Sequence, residues 1–276
     1  MKKKLKNYLG KILIYFLPKR AVELSNKGMT LSVNNDLVLV DRLIRSALLT
    51  KAEKNDDYET LAKFHQNFWV ERGHDHFSNN EGDVLEGYFL PHYSFLIDEL
   101  KKILNVQGDN FKTLVEIGTG HGDVLNYLSS KFPKVNSFVG IDLSPDQIHF
   151  NKEKYRENGR LKFVASDGLD WIKEHGESNM IFITSGGVLE YFTEKRLKIL
   201  FDHLNNLGPT IFLAIEPIGT EIDFSVDPSS RPYGVERSFS HDYKRLFKEA
   251  GFELWHQSKI PYKAKGYDFF AFGGIN

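Results

Sequence analysis

The 276-residue chain contains no cysteine. Disulfide frameworks, thiolate metal sites and cysteine nucleophiles are therefore excluded, and residence in a reducing cytoplasm fits. It also lacks a long apolar run. The longest candidate, Ile12 to Leu17, falls far short of the roughly 20 residues a membrane-spanning helix needs. Neither sign of charge is in excess, with 36 basic against 37 acidic side chains and a net charge of -1. No global field attracts a polyanion, so a nucleic acid is not an expected partner. No internal repeat or low-complexity tract appears. What is present is an ordinary globular composition, 41% hydrophobic and 26% charged. The length allows one α/β domain of about 150 to 180 residues plus an extra segment.

Residues 1–20 form the first unit. Leu5, Tyr8, Leu9, Ile12, Leu13 and Phe16 recur at helical spacing among Lys2, Lys3, Lys4, Lys6 and Lys11, and Pro18 ends the pattern. Such a basic amphipathic helix can make peripheral contact with an anionic membrane surface, or pack on its own domain or on a second subunit. A secretory signal fits poorly, because no small-residue cleavage site follows. Residues 21–109 form a mainly helical appendage. Between Phe64 and Tyr93 it crowds together Phe64, His65, Phe68, Trp69, His74, His76, Phe77, Tyr88, Phe89, His92 and Tyr93, with Gly73, Gly82 and Gly87 between them. Aromatic and imidazole groups on a turn-rich segment suit a lid over a ligand; core packing with satisfied histidines is the alternative.

Residues 110–276 alternate short apolar runs with helical stretches, as βαβ units do. Strands are expected near 113–117, 137–142, 161–165, 180–184, 210–216, 253–259 and 268–272. Helices are expected near 122–131, 145–158, 168–173, 193–204 and 241–250, the last capped by Ser240 and stopped by Gly251.

The run from Leu114 to Asp123 takes a strand into a turn containing Gly118, Gly120 and Gly122 that opens a helix. Glycines let such a backbone bend sharply and approach a ligand, and the helix N-terminus offers unpaired N–H groups. About 20 residues further on, Val139-Gly140-Ile141-Asp142 ends an apolar strand in an acid that can hold both hydroxyls of a ribose. A nicotinamide fingerprint would read G-x-G-x-x-G. Here the glycines run G-x-G-x-G, with Glu116 two positions ahead.

Those residues resemble the first motif of the class I S-adenosylmethionine-dependent methyltransferases, acid-x-G-x-G-x-G, matched by Glu116, Gly118, Gly120 and Gly122. The resemblance covers roughly Leu114 to the C-terminus. It implies a Rossmann-like α/β fold: a seven-stranded, mostly parallel sheet with helices on both faces. It implies S-adenosylmethionine as cofactor, with Asp142 on the ribose, Asp167 on the adenine amine beside Gly168, and Glu116 near the ammonium or sulfonium. The segment Ile183 to Tyr191 resembles the end of the fourth strand, bordering methyl and acceptor, and Tyr267 to Phe272 suits an antiparallel final strand. Singly, the same residues read as turn glycines, helix-capping aspartates and a solvated loop glutamate.

Methyl transfer from a sulfonium is an in-line displacement and requires no metal. A hydroxyl acceptor would need a base, for which His92, His121, Glu190, Glu216 and His241 are candidates. His92 and Glu190 lead, with Tyr191 beside the acceptor. Arg231, Tyr233 and Arg237 follow the fifth strand, where the arginines suit a substrate phosphate or carboxylate, or pair with Asp223, Asp227 or Glu236. Cytosine C5 methylation, which uses a cysteine, is excluded, and Ser185-Gly186-Gly187-Val188 replaces the Asn/Asp-Pro-Pro-aromatic signature of amino methylation. O-methylation of a small-molecule or glycan acceptor remains, and the basic helix points toward a lipid-linked or surface glycan made at a membrane. The other readings are a nicotinamide-dependent oxidoreductase and a non-catalytic cofactor-binding module.

Overall fold

The structure, a computed structural model, describes residues 2–28, 37–79, 84–262 and 266–276. Gly82 and the side chain of Phe77, grouped above with the lid, lie outside the described residues.

Five strands form the parallel part of the main sheet: β1 (Thr113–Ile117), β2 (Ser137–Asp142), β3 (Leu161–Ala165), β4 (Met180–Thr184) and β5 (Ile211–Gly219). A short hairpin, β6 (Arg231–Tyr233) with β7 (Ser238–Ser240), stands apart as its own two-stranded sheet. The chain then closes with β8 (Glu253–Tyr262) and β9 (Tyr267–Ile275). The main sheet runs β3-β2-β1-β4-β5-β9-β8, with β9 antiparallel to both neighbours. The Rossmann-like expectation is met, the final antiparallel strand included.

Side-chain alternation along the strands builds a core on each face. Val115, Ile117, Phe182 and Phe212 face a cluster with Leu197, Phe201 and Phe247. Leu114, Phe138, Ile181 and Leu213 face another with Leu96, Leu100, Leu125 and Ile148. Strands buried on both faces carry continuous apolar runs, which is why the sequence displays them plainly.

The amino-terminal helices are α1 (Lys2–Phe16), α2 (Pro18–Asn26), α3 (Leu39–Lys54), α4 (Tyr58–Asn79) and α5 (Leu90–Gln107). The segment expected to be turn-rich is instead a continuous helix as far as Asn79, and its aromatic and imidazole groups find partners on several sides. Phe64 packs with Phe239 of β7, and Trp69 with Tyr191. Helix α5 buries Tyr93, Leu96, Ile97 and Leu100 in the sheet's own core, so the helical layer of this domain reaches back to Leu90, ahead of residue 110.

The interleaved helices are α6 (Asp123–Lys131), α7 (Pro145–Lys154), α8 (Gly168–His175), α9 (Glu194–Asn206) and α10 (Tyr243–Glu249). The cap of α10 is Asp242, whose side chain accepts from Arg245 N–H, rather than Ser240. Ser240 belongs to β7, and its Oγ accepts from Gly219 N–H at 3.0 Å. Gly251 follows α10 with φ 93°, as its role as a stop requires.

Candidate active site

A cavity of about 690 Å³ opens at the carboxyl ends of β1, β2 and β4, the edge where open α/β sheets place their ligands. One wall is α4, through Glu59, Lys63, Gln66, Trp69 and His76. The opposite wall is the glycine turn, the ends of β2 and β3, and the segment after β4.

The turn is held from beneath. Gly118 N–H and Thr119 N–H both donate to Ile141 O, at 2.8 and 2.9 Å, which ties the exit of β1 to β2. Gly118 has φ 70°, and a Cβ there would lie 2.4 Å from Val188 Cγ2, so both backbone conformation and space call for glycine. Gly120 and Gly122 also have positive φ. Asp142 spans the turn: Oδ2 accepts from Gly120 N–H and Oδ1 from Ser144 N–H, each at 3.0 Å. Burial raises its pKa, opposed by these N–H donors. Asp142 lines the cavity, and Leu143 N–H also donates to its carboxylate.

Glu116 is enclosed and does not line the cavity. Its Oε2 accepts from Thr119 Oγ and its Oε1 from Ser185 Oγ, both at 2.7 Å, and burial pushes its pKa to about 7. Thr119 and Ser185 do line the cavity, so Glu116 acts there through two hydroxyls that it orients. Asp167 lines the cavity and also caps α8, accepting from Leu169 and Asp170 N–H. It pairs with Arg196, whose guanidinium lies over the Phe192 ring. Ser144, the cap of α7, stands where Asp142 was the alternative. Gly168 completes this end, where a Cβ would meet Ile117 Cγ2 at 2.5 Å.

At the other end, Glu190 and Tyr191 form a 3-10 turn and both line the cavity. Tyr233 Oη donates to Glu190 Oε2 at 2.8 Å. Burial, with Glu236 nearby, pushes Glu190 to about 8. The Tyr191 ring lies against His65 and Trp69, with centroids 5.1 and 5.7 Å away, and burial raises its phenol. Glu216 lies outside the lining and positions the segment after β4. It accepts from Thr184 Oγ at 2.6 Å and from Val188 and Leu189 N–H at 2.9 Å, and burial holds it at about 7.

The remaining candidates separate. His121 lines the cavity within the glycine turn. His241 is buried away from it, 2.6 Å from Ser230 Oγ, and burial lowers it to about 3. His92 is exposed on α5 and outside the lining, because the rotation of α5 that buries Tyr93 turns it outward. Arg231 pairs with Asp227 at 3.0 Å, and Arg237 with Glu53 at 3.2 Å, so the hairpin arginines are engaged within the protein.

Sequence reasoning set Ser185 in the segment bordering methyl and acceptor but missed its bond to Glu116, and it missed Thr119 beneath the turn, Arg196 on Asp167, and the α4 residues Glu59, Lys63 and Gln66. The Thr119 hydroxyl, three residues after Glu116, was the available signal. The α4 residues carried none, since their place depends on how the helix crosses the sheet edge.

Residues 114–207 match a family model described as a methyltransferase domain. Juvenile hormone acid O-methyltransferase of Drosophila melanogaster is 25% identical over 92 residues, 33% of this chain and 31% of that one, so the match spans about a third of its length. A Dictyostelium discoideum protein named "Probable inactive O-methyltransferase 11" is 23% identical over 288 residues, covering 90% of this chain and 79% of its own. Among solved structures, magnesium protoporphyrin IX methyltransferase of Synechocystis PCC 6803, with bound SAH, superposes with a TM-score of 0.52. Its identity is 14% over 78% of this chain and 99% of that one, a likeness of fold.

Proposed function

From the premise that residues 114–207 belong to the class I S-adenosylmethionine-dependent methyltransferase family, we propose that the protein O-methylates a small-molecule or glycan acceptor. The observation that carries this reading is Asp142, a buried carboxylate lining the cavity and tied to the glycine turn. A carboxylate at the end of the second strand suits a vicinal diol, and the glycine cradle beside it leaves room for a ligand close to the backbone. Asp167 and Gly168 would border the adenine, and Gly118, Gly120 and Gly122 the amino-acid end. Glu116 would hold Thr119 and Ser185 toward the cationic part.

When bound, the cofactor supplies a sulfonium methyl, whose transfer leaves a neutral thioether. The protein aligns the acceptor and excludes water. Glu190, as carboxylate, would take the acceptor hydroxyl proton, with Tyr233 supporting the ionised form by donating to it. Tyr191 and Trp69 would offer flat faces to the acceptor. His92 takes no part in this account, given its exposure.

The family match favours this account over the nicotinamide reading, which the spacing of the glycines already opposed. The name of the Dictyostelium relative favours a second reading, a cofactor-binding module without turnover. Incubation with S-adenosylmethionine labelled at the methyl, against pooled sugars, glycans and hydroxylated small molecules, separates the two. Label in a base-stable ether or an ester of an acceptor supports transfer. Cofactor binding with no label transferred supports the module.

A further inference from the structure

Helix α1 rests on α3 by one face only. Gly10 is the contact point: a Cβ there would lie 2.1 Å from Leu43 O, so the two backbones touch. Leu13 and Ile14 pack half-buried against the cluster around Ile44. The opposite face carries Leu5, Tyr8, Leu9, Ile12, Tyr15 and Phe16, all exposed, from 37% at Ile12 to 80% at Tyr15. Scattered exposed apolar residues are ordinary, but a stripe spanning a whole helix marks an interaction surface.

Charge indicates what covers it. Residues 1–20 contain Lys2, Lys3, Lys4, Lys6, Lys11, Lys19 and Arg20 and no acid, in a chain of net charge -1. Arg20 is engaged by Asp41 and Glu23. On the helical wheel, positions 2 and 6 fall along one edge of the apolar stripe and positions 4 and 11 along the other. An apolar stripe with lysines along both edges suits an interface where the stripe enters acyl chains and ammonium groups meet anionic headgroups. A second copy of the same face would set lysine against lysine, with no acid in the segment to offset the repulsion.

We propose that α1 is a membrane-surface anchor, lying in the plane of an anionic lipid bilayer with Leu5, Leu9, Ile12 and Phe16 immersed. The site is independent of the methyl-transfer reading. It adjoins the cavity by one link, since α1 packs on α3 and α3 on α4, which forms a cavity wall.

The test is flotation of the full chain with vesicles of phosphatidylcholine alone, and with about 30% phosphatidylglycerol added. The protein should float with the anionic vesicles and stay behind with the neutral ones. Each basic residue near such a surface is worth about fivefold in partitioning, so Lys6→Gln/Lys11→Gln should lower it on the order of tenfold or more. Leu9→Glu/Ile12→Glu should abolish it while the chain keeps a cooperative thermal melt. Failure of the native chain to float, or equal flotation with both vesicle types, would overturn the anchor. So would a native dimer, by sedimentation, that the Leu9→Glu/Ile12→Glu chain loses while neither chain floats.

Discussion

Tyr233 Oη stands 2.8 Å from Glu190 Oε2, joining the β6–β7 hairpin to the cavity end of the segment after β4. The phenol donates to the carboxyl and so favours its ionised form, against burial and Glu236, which together hold the group at about 8. A base of this kind works only when ionised, so transfer should rise with pH to a plateau above about 8. Tyr233→Phe removes a donor to the carboxylate and should move that midpoint to higher pH. Glu190→Gln should lower the rate by about 10²-fold to 10⁴-fold and abolish the rise. Rate profiles of the three chains against pH check this; an unshifted midpoint in Tyr233→Phe contradicts it.

Gly118→Ala should destabilise the fold by about 1–3 kcal/mol, combining a left-handed backbone with the contact to Val188. Adding Val188→Ala restores the space but not the backbone conformation, so only part of the loss should return. Denaturant midpoints of the two variants measure the split.

Stability should fall between about pH 6.5 and pH 8, above the range in which buried His65 and His241, lowered to about 4 and about 3, contribute the opposite slope. Glu116 and Glu216 are raised to about 7 and Glu190 to about 8, above the ordinary 4.5. A carboxyl with a raised folded-state pKa contributes its stability fully below its unfolded pKa. That contribution is lost as pH rises through the window up to the folded value. Thermal melts from pH 6.5 to 8.5 should show the decline, shallower in Glu216→Gln than in the native chain.

The strands were the most legible part of the sequence. β1, β2 and β4 match the expected spans because a strand buried on both faces is a short apolar run bounded by turn residues, and β3, half exposed at the sheet edge, matches as well. The glycine turn and Asp142 were legible for a related reason, since close backbone approach restricts which residues serve. The β6–β7 hairpin was not, because its three-residue strands contain Pro232 and are held by tertiary contacts such as Phe239 against Phe64. Helix α4 was obscured because aromatic and imidazole groups on several of its sides blur the apolar periodicity. His92 and Tyr93 show the limit at the site. One step along α5 separates an exposed side chain from a buried one, and the phase of that helix follows from its packing.

Trp69 lines the cavity, whereas Trp171 and Trp255 do not. S-adenosylhomocysteine or an acceptor should therefore change indole fluorescence in the native chain. The change should vanish in Trp69→Phe.

The central claim rests on Asp142, and a thermal titration with S-adenosylhomocysteine and separately with NAD tests it most directly. A ligand at a hundredfold excess over its dissociation constant stabilises the folded state by about 2.7 kcal/mol, which is a shift of several degrees at this size. The account predicts that shift for S-adenosylhomocysteine, none for NAD, and its loss in Asp142→Ala compared with the variant's own unliganded melt. A shift with NAD alone, or an S-adenosylhomocysteine shift that survives in Asp142→Ala, would contradict it.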